Sequence, residues 1–182
     1  AAKQAGVRCI VCMSNMVPQN KVIGIKAQGA EVRIVGSSQD EAQFEADRLV
    51  DVNGMTMIPP FDHPHIIAGH GTLGLKMLEQ VPDLETVLVA LFGEGLISGI
   101  AIAMKYRKPI LRLVGISMSR GAAMIESQRA GGPVQVNELP SLADSLGGGI
   151  GLDYRHTFRI VKKLVDELVT VVEKQIAEAI RH

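Results

Sequence analysis

The sequence predicts an α/β protein of parallel sheets with flanking helices, and three observations lead there. Apolar runs of strand length alternate with amphipathic stretches of helix length almost throughout, which implies βαβ crossovers and parallel pairing. Hydrophobic residues make up 47% of the 182 positions, yet aromatics are only 3% and there is no Trp. Such an aliphatic chain suits strands buried between helices. Its 19 glycines and scarce aromatics argue against an all-β sandwich.

The elements follow in order. Residues 1–5 offer about one helical turn, too little to stand alone. Residues 7–13 read as a strand. Pro18 opens a helix to Ala27, and Gly29 closes it. Residues 31–35 form the next strand. Ser38 caps a helix with an acidic first turn that runs to Val52, and Asn53-Gly54 stops it. Residues 55–58 read as a short strand. Pro59-Pro60 breaks the chain and divides it into a small α/β unit, 1–58, and part of a larger one, 59–182. The larger part should hold a helix over 69–80, a strand over 86–91 and a helix over 95–105. A strand over 109–117, a helix over 120–130 and a short helix over 141–150 that dissolves into glycines come next. A helix over 156–165, a strand over 168–172 and a helix over 174–180 complete it. Both ends read as cut.

Charge excludes several partners. Lys+Arg and Asp+Glu are both 19, so the formal net charge is zero. No basic stripe interleaved with aromatics suggests nucleic acid. No apolar run approaches the roughly 20 residues of a membrane span, and no leader peptide is recognisable. Cys9 and Cys12 spell C-x-x-C, but they lie in a strand pattern. A redox pair normally opens a helix, so a reduced, cytoplasmic setting is expected.

The most informative local site follows the strand Val87-Leu88-Val89-Ala90-Leu91. There Phe92-Gly93-Glu94-Gly95-Leu96 leads into a helix. Amides at a helix N-terminus favour anions, and glycines let a phosphate approach closely. A tight turn that merely needs small residues is the alternative. Glu94 places a carboxylate where a phosphate should go. Like charges about 4 Å apart repel by roughly 4 kcal/mol at an effective dielectric near 20. Gly69-x-Gly71-x-x-Gly74 matches a dinucleotide fingerprint without the strand that should precede it, so helix packing is the better reading. His63, His65 and His70 lie near Asp62, but Pro64 intervenes and no helical i,i+4 pair forms, so no metal site is expected. No Ser-His-Asp set or nucleophile elbow is present.

Several segments, in order, resemble the threonine/serine dehydratase and serine racemase family of fold-type-II pyridoxal-phosphate enzymes. Residues 60–72, Pro-Phe-Asp-His-Pro-His-Ile-Ile-Ala-Gly-His-Gly-Thr, are similar to the family's H-P-F-D-x-P-x-V-I-A-G-Q-G-T. Pro59 stands for the His and His70 for the Gln. Pro18-Gln19-Asn20-Lys21-Val22 with Gly29-Ala30-Glu31-Val32 looks like P-x-x-K-x…G-A-E-V. Leu142-Ala143-Asp144-Ser145 and Ile150-Gly151-Leu152 match a later region, as do Val165-Asp166-Glu167 and Val169-Thr170-Val171. The version at 142–151 is similar to the dehydratase branch linked to hydroxyectoine breakdown.

The resemblance implies an incomplete tryptophan-synthase-β-like architecture with pyridoxal 5′-phosphate between two domains. The parent would be a homo-oligomer acting on a hydroxy amino acid such as threonine or serine, giving a 2-oxo acid and ammonia. The family's phosphate cup, S/G-G-G-G-L, falls on Phe92, Gly93, Glu94, Gly95 and Leu96, and two of the five depart. Ser145 stands where relatives often carry a Gly lining the cofactor. The family's Ser-Phe/Tyr-Lys-x-Arg-Gly motif, whose lysine forms the Schiff base, has no counterpart, so no catalytic residue is assigned. Positions resembling the racemases' metal ligands are Ser117 and Ala123, so no such metal is expected.

Three readings compete. The first is an ammonia-lyase whose sequence here is incomplete and inactive alone. The second is a non-catalytic binding or structural fragment that has lost the cofactor. The third, a dinucleotide module on Gly93-x-Gly95, lacks the acidic residue that should end the next strand, since Ser117 stands there.

Overall fold

The computed structural model describes residues 1–137, 139–147 and 156–182, and the chain falls into two compact units, Ala1–Ile58 and Pro59–His182. In the first, α1 (Ala2–Ala5) precedes β1 (Ile10–Met13), α2 (Gln19–Ala27), β2 (Glu31–Ile34) and α3 (Gln39–Asn53). The two strands pair in parallel, Ile10 opposite Glu31 through Met13 opposite Ile34. Met13, Val22, Ala42 and Leu49 fill the small core. Ser38 caps α3 as its sequence predicts: its Oγ accepts from the Glu41 amide at 3.2 Å, and the Glu41 carboxylate accepts from Ser38 N–H at 3.1 Å. Gly54, at φ 62°, ends the helix. Arg48 and Arg33 donate to Glu45 at 2.7 Å each, and these bonds hold its carboxyl down at about 2.

Residues 55–58 form no strand. A strand exists through its ladder, and this segment ends its unit beside Pro59 and Pro60, neither of which has an N–H to donate.

The second unit holds α4 (Pro64–Gln80), β3 (Thr86–Ala90), α5 (Gly95–Arg107), β4 (Arg112–Met118), α6 (Ala123–Ala130), α7 (Thr157–Leu164), β5 (Glu167–Val171) and α8 (Glu173–Ile180). One 3-10 turn spans Asp144–Leu146. The strands lie parallel in the order β3-β4-β5. Central β4 is buried on both faces, so Leu113, Val114 and Met118 read as a continuous apolar run. β3 alternates, with Val87 and Val89 inward and Leu88 outward. Ile97, Ile100, Ala101 and Met104 of α5 pack with them and with Met124 and Val161.

β1 begins at Ile10 rather than residue 7, and in the second unit three element starts differ from the sequence expectation by three residues or more. α4 begins at Pro64 rather than Gly69, because Pro is pre-organised for a first helical position and His63 Nδ1 accepts from the His65 amide at 3.2 Å. β4 begins at Arg112 rather than Pro109, after a turn in which Leu111 N–H donates to the Lys108 carbonyl. α6 begins at Ala123 rather than Arg120, since Gly121 at φ +62° is left-handed. The predicted helix over 141–150 is only the single 3-10 turn as far as Gly147. Its remainder, with the Ile150-Gly151-Leu152 motif, lies outside the described residues.

The N-terminal edge of the sheet is tied by charge. Lys105 Nζ donates to Asp166 Oδ2 at 2.7 Å and to the Leu111 carbonyl at 2.7 Å, and Leu113 N–H donates to Asp166 Oδ2 at 2.6 Å. Partial burial pushes the Asp166 carboxyl up, but Lys105 and the Leu113 amide outweigh it and leave it lowered. No helix among the described residues is long and apolar enough to cross a membrane.

Candidate functional site

In a parallel sheet, ligands gather at the carboxyl ends of the strands, where connections leave for the helices. The turn from β3 into α5 lies at that edge; Phe92, Gly93 and Glu94 form it, and Gly95 and Leu96 open α5. Gly93, Glu94 and Gly95 are buried, while Phe92 and Leu96 are half-buried. The Glu94 carbonyl accepts from Ser98 N–H at 2.9 Å, which starts the helix there. The first-turn amides that follow have no acceptor within the helix. These amides and the helix dipole give the turn its positive end.

The glycines are tightly covered. A Cβ built on Gly93 would lie 2.3 Å from Phe61 Cδ1 and 2.5 Å from its Cγ. One built on Gly95 would lie 3.0 Å from the Phe61 carbonyl oxygen and 3.2 Å from Ile66 Cγ2. The Phe61 and Phe92 rings meet edge-on, with centroids 6.1 Å apart. The Phe61 segment is in turn fixed by Asp62, whose Oδ1 accepts from the His156 and Thr157 amides at 3.0 and 2.8 Å. That carboxylate caps α7 from a distant part of the chain.

Glu94 departs from the rest of the turn. Its backbone sits at φ 60°, and it is the one non-glycine residue with positive φ among those described. It is 3% exposed, and both carboxylate oxygens are shut off from solvent. Glu94 thus departs from the cup's glycine pattern as a buried side chain, in a turn whose glycine faces are filled by Phe61.

Ser145 lies in the 3-10 turn and is exposed, with its Oγ 3.5 Å from Asp144 Oδ1. Gly147, two residues on, lies against Met118 at the end of β4, the edge where the β3–α5 turn also lies. The remaining motifs carry structure. Gly71 and Gly74 face α5, where added Cβ atoms would meet the Gly99 oxygen at 3.3 Å and Ile100 Cα at 3.2 Å, whereas one on Gly69 meets nothing. His63 caps α4, and His70 packs against Gly99 with its Nδ1 buried and without a hydrogen-bond partner. Among the described residues no three His, Cys, Asp or Glu side chains converge on a metal position. Cys12 lies in β1 with Cys9 just before it, both reduced, and burial followed by Glu45 pushes the Cys12 thiol up. A raised thiol opposes a reactive thiolate.

Sequence reasoning missed Phe61, Asp62 and His63 as the supports of the turn and its surroundings. Only His63 had a local signal, a capping-competent side chain just before a proline. A concavity of about 600 Å³ opens on α4, α5 and α7 between Ile67, Ile102, Ala103, Tyr106 and His156. It is apolar and has no carboxylate in its walls.

The family description that matches residues 1–182 is "Pyridoxal-phosphate dependent enzyme". The chain is 56% identical over 182 residues to a Sinorhizobium fredii protein named "Putative threonine dehydratase", covering 100% of this chain and 55% of that protein. It is 38% identical over 180 residues to the L-threonine ammonia-lyase of Thermotoga maritima, covering 99% and 44%. It is similar to the solved structure of maize serine racemase, with a TM-score of 0.89, 29% identity and coverage of 99% and 54%. The processed threonine deaminase isoform 2 of Solanum lycopersicum gives a TM-score of 0.86 at 31% identity, with coverage of 98% and 52%. The chain spans about half the length of the curated relatives it matches.

Proposed function

This chain belongs to the family of pyridoxal-phosphate-dependent enzymes, and we propose that it is the middle portion of an amino-acid dehydratase of the threonine/serine type. In that reading the Ala1–Ile58 unit is the remainder of a small domain and Pro59–His182 is part of the larger, cofactor-facing one. The chain supplies the β3–α5 turn but not the Schiff-base lysine, so it has no turnover alone. The observation that carries the reading is the β3–turn–α5 unit at the carboxyl edge of a parallel sheet, in a chain similar over its whole length to a threonine ammonia-lyase.

The lysines of the second unit support it. Lys105 and Lys108 point to the opposite edge of the sheet, where they bond the Leu111 and Leu84 carbonyls that precede β4 and β3. Lys76, Lys162, Lys163 and Lys174 are exposed.

A second reading, a non-catalytic fragment that no longer takes the cofactor, is favoured by one observation, the buried carboxylate of Glu94 inside the turn. Both readings expect the same first result. Pyridoxal phosphate added to the purified chain and reduced with borohydride should leave no site-specific lysine adduct in peptide mass spectra, and threonine and serine should remain unconverted. A single labelled lysine, or 2-oxo acid released from threonine, would show that the chain carries its own Schiff-base residue.

A further inference from the structure

We propose that Glu173 is a positioning residue, whose carboxylate holds the 141–147 segment at the carboxyl edge of the second unit's sheet. The inference rests on the dehydratase reading, which sets Ser145 of that segment beside the cofactor, and deepens it by naming what keeps Ser145 in place.

The segment has little structure of its own. Its regular part is the 3-10 turn Asp144–Leu146, and Ser145 within it is exposed. Such a stretch keeps one conformation only where its backbone groups find fixed partners. Glu173 brings two acceptors from 32 and 31 residues further along the chain. Its Oε1 accepts from the Ser141 hydroxyl at 2.5 Å, and its Oε2 accepts from the Leu142 N–H at 3.0 Å. Ser141 Oγ also accepts from the Ala143 N–H at 3.0 Å. The Ala143 carbonyl accepts from the Leu146 N–H at 2.8 Å, which closes the turn that carries Ser145. Bonds thus run without a break from Glu173 through Ser141 to that turn.

Glu173 stands at the edge where ligands gather. It is the first residue of α8, just past Val171 at the end of β5. The Val171 carbonyl accepts from the Ser119 N–H, beyond the end of β4, at 2.8 Å. At the segment's other end, Gly147 lies against Met118, the last residue of β4. The segment is therefore tied to the end of β5 and rests on the end of β4. An acidic residue in a first helical turn commonly serves the helix dipole. Here both carboxylate oxygens are taken by the segment, and α8 has a separate cap, Val172 N–H donating to Gln175 Oε1 at 2.9 Å. The Leu142 amide, then the Ser141 hydroxyl, hold the Glu173 carboxyl below the usual glutamate value against its partial burial, with help from the Arg120 charge. It stays an ionised acceptor, the stronger kind.

Amide hydrogen exchange, read by NMR on the intact chain and on Glu173→Ala and Glu173→Gln, tests this. In Glu173→Ala, exchange at Leu142, Ala143 and Leu146 should be about fivefold faster or more, the Ser145 amide should shift, and Ile176 in α8 and the β5 amides should keep their rates. Glu173→Gln, which keeps an oxygen for the Ser141 hydroxyl, should fall between. Ser141→Ala, which cuts the same run of bonds from the other side, should loosen Ala143 and Leu146 likewise. Unchanged rates in the segment would overturn the proposal. So would a rise confined to α8, which marks a residue that only caps its helix, or a rise spread evenly over the unit. A Glu173→Gln chain as loose as Glu173→Ala would also overturn it. None of these outcomes bears on the dehydratase reading, which stands or falls on lysine chemistry and threonine turnover.

Discussion

Gly99→Ala is expected to destabilise the Pro59–His182 unit by about 3 kcal/mol and lower its melting temperature by roughly 10 °C. The reason is the closeness of α4 and α5. A Cβ at position 99 would lie 2.3 Å from the Ile67 carbonyl oxygen, 2.6 Å from the Gly71 amide nitrogen and 2.8 Å from His70 Cβ. Two of these are backbone atoms, which cannot rotate aside. The helices would have to separate, and the facing glycines Gly71 and Gly74 would lose their contacts with Gly99 and Ile100. Gly24→Ala, inside α2 with nothing within 4 Å of the added carbon, is the matched control. It should raise stability by about 0.5–1 kcal/mol through helix propensity alone. Urea denaturation followed by circular dichroism reads both. A neutral Gly99→Ala would mean that the helices are not held at this distance.

Gly93→Ala should cost about 2 kcal/mol, and the origin of the cost discriminates between two roles for the glycine. Position 93 has no positive φ, so an alanine is tolerated by the backbone. What it meets is the Phe61 side chain, with ring atoms Cδ1 and Cγ at 2.3 and 2.5 Å and Cβ at 3.0 Å. A glycine kept for packing therefore predicts strong coupling with Phe61. Phe61→Ala alone should destabilise by removing the aromatic contact with Phe92, but in that background Gly93→Ala should be nearly free. The double-mutant cycle should return a coupling of 1 kcal/mol or more. Additive costs would show that position 93 is constrained by something other than this ring.

Much of the layout could be read from residue patterns. The apolar run Val87–Leu91 followed by Gly93 and Gly95 placed β3, the turn and α5 within two residues of their observed bounds. Buried parallel strands and glycine turns are local signals, and so was the Ser38–Glu41 cap. What stayed hidden depended on contacts between distant segments. Asp62 bonds amides 94 and 95 residues further on, and no spacing rule announces such a partner. Pro64 was masked by the prolines before it, which made a helix start resemble a break. Residues 55–58 had strand composition but no neighbouring strand to bond.

The candidate site divides in the same way. That Glu94 breaks the glycine pattern could be read from the chain. Whether its side chain stays in solvent depends on the fold around it. Only the structure, with Phe61 against the glycines and Glu94 3% exposed, shows that it is buried.

The most direct test of the whole account is turnover by a chimera. This chain would replace the matching 180-residue segment of the Thermotoga maritima L-threonine ammonia-lyase, which would supply the flanking parts. Formation of 2-oxo acid from threonine would be measured alongside folding. The account predicts a folded chimera that retains pyridoxal phosphate and forms 2-oxo acid from threonine. A folded chimera that never retains pyridoxal phosphate, or that retains it and leaves threonine unconverted, would contradict it.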